Sequence, residues 1–237
     1  DKRPCIGVDL GIISAVTMSD GVSHKAPKPA ARYARKMALL QRKLDRCQPY
    51  SRRKELHRRK VAKLHRKIAC IRKDFNDKTT TSICRENQAV VVEDLNVAGM
   101  IRNRSLRNAI LDVGFSQITG MLKYKMPLYG GEVIVADRFF PSSKICSCCG
   151  HRRKHLKLST RMFLCRKCGV EINRDHNAAR NLRTLGVREI NARGQDGSAK
   201  APARASSLVE TRSRKATQSE ILLSRDSGET PTKSPGR

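Results

Sequence analysis

The chain has 237 residues, with 50 Lys and Arg set against 21 Asp and Glu for a formal net charge of +29. So large an excess argues against an ordinary cytosolic enzyme, and its simplest physical use is to neutralise phosphates and release counterions from nucleic acid. Hydrophobic residues make up 38%, but Trp is absent and aromatics reach only 4%, so one domain or two small ones must be built around Val, Ile, Leu and Met.

In chain order, residues 4–10 (Pro-Cys-Ile-Gly-Val-Asp-Leu) alternate loosely and end at Gly11, as a strand does. Residues 12–18 form a second β-rich run, and Ser19-Asp20-Gly21 marks a turn, so a hairpin meander is expected. From residue 32 the pattern changes. Residues 32–73 hold 17 Lys and Arg and only Asp45 and Glu55 as acids. Leu64, Ile68, Ile71 and Phe75 recur at helical spacing, and Pro49 interrupts the pattern near 47–52. Two long helices folded as a basic hairpin are predicted. Mixed charge would serve a merely solvated face, whereas an almost single-signed run suits a polyanion. Arg52, Arg53, Lys54, Arg58, Arg59, Lys60, Arg66 and Lys67 are the candidate phosphate contacts.

Residues 88–93 (Gln-Ala-Val-Val-Val-Glu) read as a buried strand, parallel to a neighbour, with a carboxylate at its end. A helix is predicted over 106–126, a turn at Gly130-Gly131, a strand over 132–136 and a last helix over about 175–185. The fold class is therefore α/β with a central mixed sheet. Beyond 190 the composition turns to Ser, Thr, Ala, Gly, Pro and Arg, and a disordered basic tail is expected over 191–237. No apolar run approaches the ~20 residues that span a bilayer, and no secretory h-region is visible. No membrane partner is expected, and the cytoplasm, or the nucleoid of a prokaryote, is the expected location. The first residue is Asp1, which suggests a processed, truncated or cut chain.

Cys146-Ser-Cys-Cys149-Gly150 and Cys165-Arg-Lys-Cys168-Gly169 are two C-x-x-C-G knuckles with fifteen residues between them. Two thiolates from each knuckle complete a tetrahedral four-sulfur site that suits structural Zn2+. Cys148 is a bystander, and His151 and His155 are expected at the surface. A closed site of this kind leaves no position for water, so its metal does no chemistry. The basic residues between the knuckles suggest that the ribbon also touches phosphate.

Hydrolysis of a phosphodiester by two Mg2+ ions needs clustered carboxylates. Asp9 lies in the first strand, Glu93 ends a central strand, and Asp175 stands where the last helix begins. Taken alone, each has a simpler reading: a turn or hydrogen-bonded Asp, a strand-ending Glu, and an N-cap. Together they follow the order found in an RNase H-like nuclease. Asp20, Asp77, Asp94 and Asp137 compete, although Asp94 must face away from Glu93 on a strand.

With Gly7-Val-Asp-Leu-Gly11, Val92-Glu-Asp-Leu-Asn96, Phe140-Pro-Ser-Ser-Lys144, the first knuckle and Asn173-Arg-Asp-His-Asn-Ala-Ala179 in view, the chain resembles the TnpB/OrfB family of insertion-sequence proteins, relatives of type V CRISPR effectors. The resemblance is collinear from about residue 3 to 186. It implies an RNase H-like (RuvC) core over 1–144, with the basic helical hairpin inserted at about 32–86. It also implies a zinc ribbon over 145–170 and a last RuvC-like segment over 171–190. By the same resemblance, Asp9, Glu93 and Asp175 are catalytic ligands of Mg2+ or Mn2+. The partners implied are a DNA target and a transposon-derived guide RNA, with base pairing supplying specificity. The family's N-terminal half, ahead of the first strand, has no counterpart here, and Asn173 replaces a more usual Asp. A non-catalytic nucleic-acid-binding remnant or regulator of the same family is the alternative.

Overall fold

The computed structural model describes residues 4–157 and 159–195. A meander of β1 (Cys5–Asp9), β2 (Val16–Met18) and β3 (Ser23–His24) opens the chain. Gly21 turns it at φ +98° while the Val22 amide donates to Asp20 Oδ1, so Asp20 is a turn residue. Helices α1 (Pro29–Asp45) and α2 (Arg52–Glu86) follow as the expected hairpin. Ser51 caps α2, its hydroxyl oxygen accepting from the Lys54 amide at 3.1 Å. The N-terminus of α1 is capped from a distance: the amides of Ala30 and Ala31 donate to the Asp112 carboxylate at 2.9 and 3.2 Å. Asp112 is buried and also faces Arg72 at 3.6 Å, so this buried acid has a structural use.

After β4 (Ala89–Glu93), the region predicted as one helix over 106–126 contains a break. It is preceded by α3 (Val97–Ile101) and divides into α4 (Arg104–Val113) and α5 (Phe115–Leu128). Gly114 adopts φ +77°, its amide closes on the Ile110 carbonyl, and Phe115 turns into the core at 1% exposure. A left-handed glycine is the common way to end one helix, and the continuous apolar periodicity across it concealed the stop. The chain continues through β5 (Glu132–Ala136), a short 3-10 turn (Ser142–Lys144), the small hairpin β6 (Met162–Leu164) and β7 (Glu171–Asn173), and α6 (Arg174–Gln195). Helix α6 runs ten residues past the predicted end at 185, so residues 191–195 of the expected tail are helical. The remainder of that tail, 196–237, lies outside the described residues.

The main sheet has the order β3-β2-β1-β4-β5. The pairs β1–β2 and β2–β3 are antiparallel, while β1–β4 and β4–β5 are parallel. Strand alternation sorts the side chains between two layers. Ile6, Val8, Val90 and Val92 face a core shared with Ile83 of α2, Ile110 of α4 and Ile118 and Leu122 of α5. Ala89, Val91, Ile134 and Ala136 face the other way and pack with Leu182 of α6. The Val-rich β4 is buried on both faces, which is why it reads as a continuous apolar run.

Candidate functional site

The alternation that builds the core also aims the candidate acids. Positions 5, 7 and 9 of β1 and positions 89, 91 and 93 of β4 share the face covered by α6. The parallel register pairs Cys5 with Ala89 through Val8 with Val92, so Asp9 and Glu93 are the next residues at the C-terminal ends of adjacent strands. Asp94 falls on the opposite face and is occupied there: Arg138 donates to its Oδ2 through Nε and Nη2 at 2.9 and 2.6 Å. Asp77 pairs with buried Lys125 at 2.8 Å, and Asp137 accepts the Phe139 amide at 2.7 Å. Each competing acid therefore has another partner.

Asp175 reaches the same face from the first turn of α6. It does not cap that helix. Asn173 does, its Oδ1 accepting the amides of Asp175 at 2.9 Å and His176 at 3.3 Å. The Asp175 carboxylate is left to face the strand ends, with Oδ2 3.9 Å from where a Cβ on Gly11 would lie. At its N-terminal end α6 is docked to the β2–β3 turn by His176 Nε2, 3.2 Å from the Ser19 carbonyl.

The electrostatics record this convergence. Burial, then the charges of Glu93 and Asp175, hold the Asp9 carboxyl well above the usual carboxylate range, with Arg174 pulling the other way. Burial also raises Glu93, offset by a hydrogen bond from the Ser142 hydroxyl to its Oε1 and by Arg174. None of the three acids is ion-paired with a described residue. Such crowding is unfavourable unless protons or cations intervene. The trio is an open arrangement: among the described residues, only the four cysteines form a group of three or more such ligands with all atoms within 4.8 Å of one another.

The cysteine group is compact. Cys146 Sγ lies 3.7 Å from Cys168 Sγ, and Cys149 Sγ 3.6 Å from Cys165 Sγ. Both knuckles turn in the same way, with Gly150 and Gly169 at φ +72° and their amides donating to the carbonyls of Cys146 and Cys165 at 2.9 Å. Phe163 is fully buried against this cluster. Cys148, His151 and His155 are exposed and lie outside it.

Three positioning residues carried no assigned role in the sequence. Asn177 accepts the Ser147 amide at 2.9 Å and donates to the Ile145 carbonyl at 2.6 Å. Asn181 donates to the carbonyls of Ser142 and Ile145, both at 2.7 Å. Together they fasten the entry to the cysteine ribbon onto α6, and Ser142 then touches Glu93. Their available signal was helical spacing: Asn177 and Asn181 are four apart and so share one face of α6. Of the eight candidate phosphate contacts on α2, all but Lys54 are exposed, and Arg58 and Arg59 share Glu55 at 3.0 Å.

Comparison with known proteins fits this arrangement. The family model OrfB_IS605, described as "Probable transposase", matches residues 2–104, and the model "Cas12f1-like, TNB domain" matches residues 115–182. A protein of Streptomyces pristinaespiralis, provisionally named an RNA-guided DNA endonuclease, is 42% identical over 182 residues, covering 77% of this chain and 45% of that one. The chain belongs to the TnpB/OrfB family. A similarly named protein from Escherichia coli K12 is 33% identical, over 76% of this chain and 48% of its own. The chain thus spans about half the length of the curated relatives it matches. A solved structure titled as a Cas12f1-sgRNA-target DNA complex superposes with a TM-score of 0.56 at 21% identity, over 78% of this chain and 51% of that chain. A CRISPR-Cas12f ternary complex gives 0.57 at 22% identity, over 77% and 39%. The fold is therefore Cas12f-like, a mixed sheet with helices. Among the described residues, no helix is long and apolar enough to cross a membrane.

Proposed function

We propose that this chain is the nuclease portion of a transposon-encoded, RNA-guided DNA endonuclease with an RNase H-like, RuvC-type core, and that Asp9, Glu93 and Asp175 hold its catalytic Mg2+ or Mn2+. The observation that carries the reading is the approach of three carboxylates, drawn from β1, β4 and α6 and without ion-pair partners among the described residues, on one face of the sheet. Cations would relieve the mutual repulsion of these acids, and a binding-only descendant would have no use for such a trio. The similarity to proteins named as RNA-guided endonucleases and to guide-RNA-bound DNA complexes supports the choice of substrate and partners.

The residues divide the work as follows. Asp9, Glu93 and Asp175 would hold the cations through their carboxylate oxygens. When bound, the cations supply an activated water and counter-charge for the leaving oxygen. Ser142 holds one oxygen of Glu93 through its hydroxyl and leaves the other for ligation. Arg174 lowers the electrostatic cost of the cluster. The exposed cations of α1 and α2 would carry the backbone of the nucleic acid, which reads no sequence by itself. In the ribbon, four sulfurs about 2.3 Å from one zinc ion would stand about 3.8 Å apart along the edges of a tetrahedron. The separations of 3.7 and 3.6 Å fit that donor set. We assign Zn2+ there in a structural role.

The test is cleavage of single-stranded DNA with Mg2+ or Mn2+, with the chain joined to the N-terminal half of a relative where needed. Asp9→Ala is expected to abolish cleavage and leave nucleic-acid binding nearly intact. Undiminished cleavage by that variant would remove the mechanism.

A further inference from the structure

The turn between α1 and α2 holds features that the nuclease reading does not use. A cavity of about 530 Å3 is lined by Lys43 and Arg46 from the end of α1, by Gln48 and Ser51 from the turn, and by Arg53 and His57 from α2. Among the described residues no carboxylate lines it, and Lys43, Arg46 and Arg53 have no ion pair there. Glu55, the acid of the first turn, is engaged by Arg58 and Arg59. The first amides of the 35-residue helix α2 open at the same end. His57 Nδ1 is shielded from solvent and has no hydrogen-bond partner among the described residues.

A second observation is independent of charge. Tyr50, between Gln48 and Ser51, is fully exposed at 104% and sits at φ +61°, a left-handed conformation costly for an aromatic residue. In a chain with so few aromatics, one is held out into solvent at the edge of a cationic cavity. Base stacking on an aromatic ring combined with cationic capture of phosphate is the general chemistry of single-strand binding.

We propose that the hairpin tip is a nucleotide clamp: a phosphate enters the Lys43, Arg46, Arg53 and His57 cavity while the adjoining unpaired base stacks on Tyr50. The occupant is single-stranded nucleic acid, because a paired base has no face to offer. This deepens the nucleic-acid side of the proposed function and is independent of the acid trio. The clamp is also a proton-sensitive site. Desolvation first, then Lys60, Arg53 and Lys43, lower the His57 pKa. Among the described residues no acid of the cavity lining faces that ring, so a bound phosphate should raise its pKa.

The test uses the whole chain in EDTA, so cleavage does not enter. The probes are a labelled single-stranded DNA 12-mer, the same sequence as RNA, a blunt duplex, and inorganic phosphate. Tyr50→Ala is expected to weaken single-strand binding by about tenfold, with the duplex nearly unchanged and Tyr50→Phe like wild type. The double variant Lys43→Ala/Arg46→Ala should weaken it by at least as much, whereas Arg42→Ala, an exposed cation of α1 outside the cavity, should cost less and act equally on the duplex. Phosphate and the 12-mer should each raise the His57 pKa measured by NMR, and the DNA and RNA arms rank the two strand types. An unchanged affinity in Tyr50→Ala, an Arg42→Ala loss equal to that of the double variant, or a His57 signal indifferent to every probe would overturn the clamp. No cleavage step enters this assay, so failure here is separable from failure of the nuclease reading.

Discussion

Gly7 of β1 lies so close to α6 that a Cβ placed on it would sit 2.0 Å from the Ala179 carbonyl oxygen and 2.5 Å from the Arg183 amide. Backbone meets backbone at this crossing, and further along a Cβ on Gly186 would come 2.3 Å from the Val91 side chain at Cγ2. The crossing sets the height of Asp175 above Asp9 and Glu93, because α6 has no slack with which to approach from elsewhere.

Gly7→Ala should therefore impair the site without touching an acid. The added methyl has only backbone to meet, so α6 must lift away. Overpacking of this kind costs about 1–3 kcal/mol, and the expected result is a lowered denaturation midpoint together with a large loss of cleavage. Urea unfolding and cleavage assays on the same preparation check it.

The cap and the candidate ligand at the start of α6 should separate cleanly. Asn173→Ala removes the acceptor for two amides and is expected to cost about 1 kcal/mol. Asn173→Asp should retain the cap. Asp175→Asn should cost much less stability and abolish cleavage. Denaturant titration beside the cleavage assay reads both, and a stability loss in Asp175→Asn equal to that of Asn173→Ala would return Asp175 to a capping role.

Charge crowding at Asp9 gives a pH signature in chelator. The folded carboxyl holds its proton above the ordinary range, so between the unfolded pKa, about 3.9, and the raised value the folded state binds more protons. Stability must fall as pH rises through that window and stay low above it. Asp9→Asn should flatten this slope and be the more stable protein at neutral pH in EDTA. Mg2+ should raise the wild-type melting temperature at neutral pH and have little effect on the variant. A melting-temperature series against pH, with and without Mg2+, tests it.

The ribbon should be coupled to the acids through α6. Metal analysis is expected to find one tightly bound zinc per chain. Removing it, or making Cys146→Ser, should unfold the ribbon and loosen the segment that Asn177 and Asn181 hold, releasing Ser142 from Glu93. Cleavage should fall although no acid has changed, and zinc readdition should restore the stripped protein.

Much of this architecture is legible in the sequence. The Val-rich run ending in Glu93 could only be an interior strand, and period-2 alternation already separated Glu93 from Asp94. The C-x-x-C-G pairs fixed the cysteine cluster by spacing. What escaped depended on contacts rather than patterns. The stop at Gly114 is invisible in an apolar periodicity that continues on both sides. The identity of the α6 cap was hidden because Asn173 and Asp175 are both good capping residues. The pinning roles of Asn177, Asn181 and Ser142 exist only where α6 meets the loop after β5.

The most direct measurement is a structure determined with Mn2+, using anomalous scattering to locate the ion. The account predicts density between the carboxylates of Asp9, Glu93 and Asp175, reduced or lost in Asp9→Ala while the cysteine site keeps its own metal. Mn2+ absent from the trio at millimolar concentration, or bound only elsewhere, would contradict it.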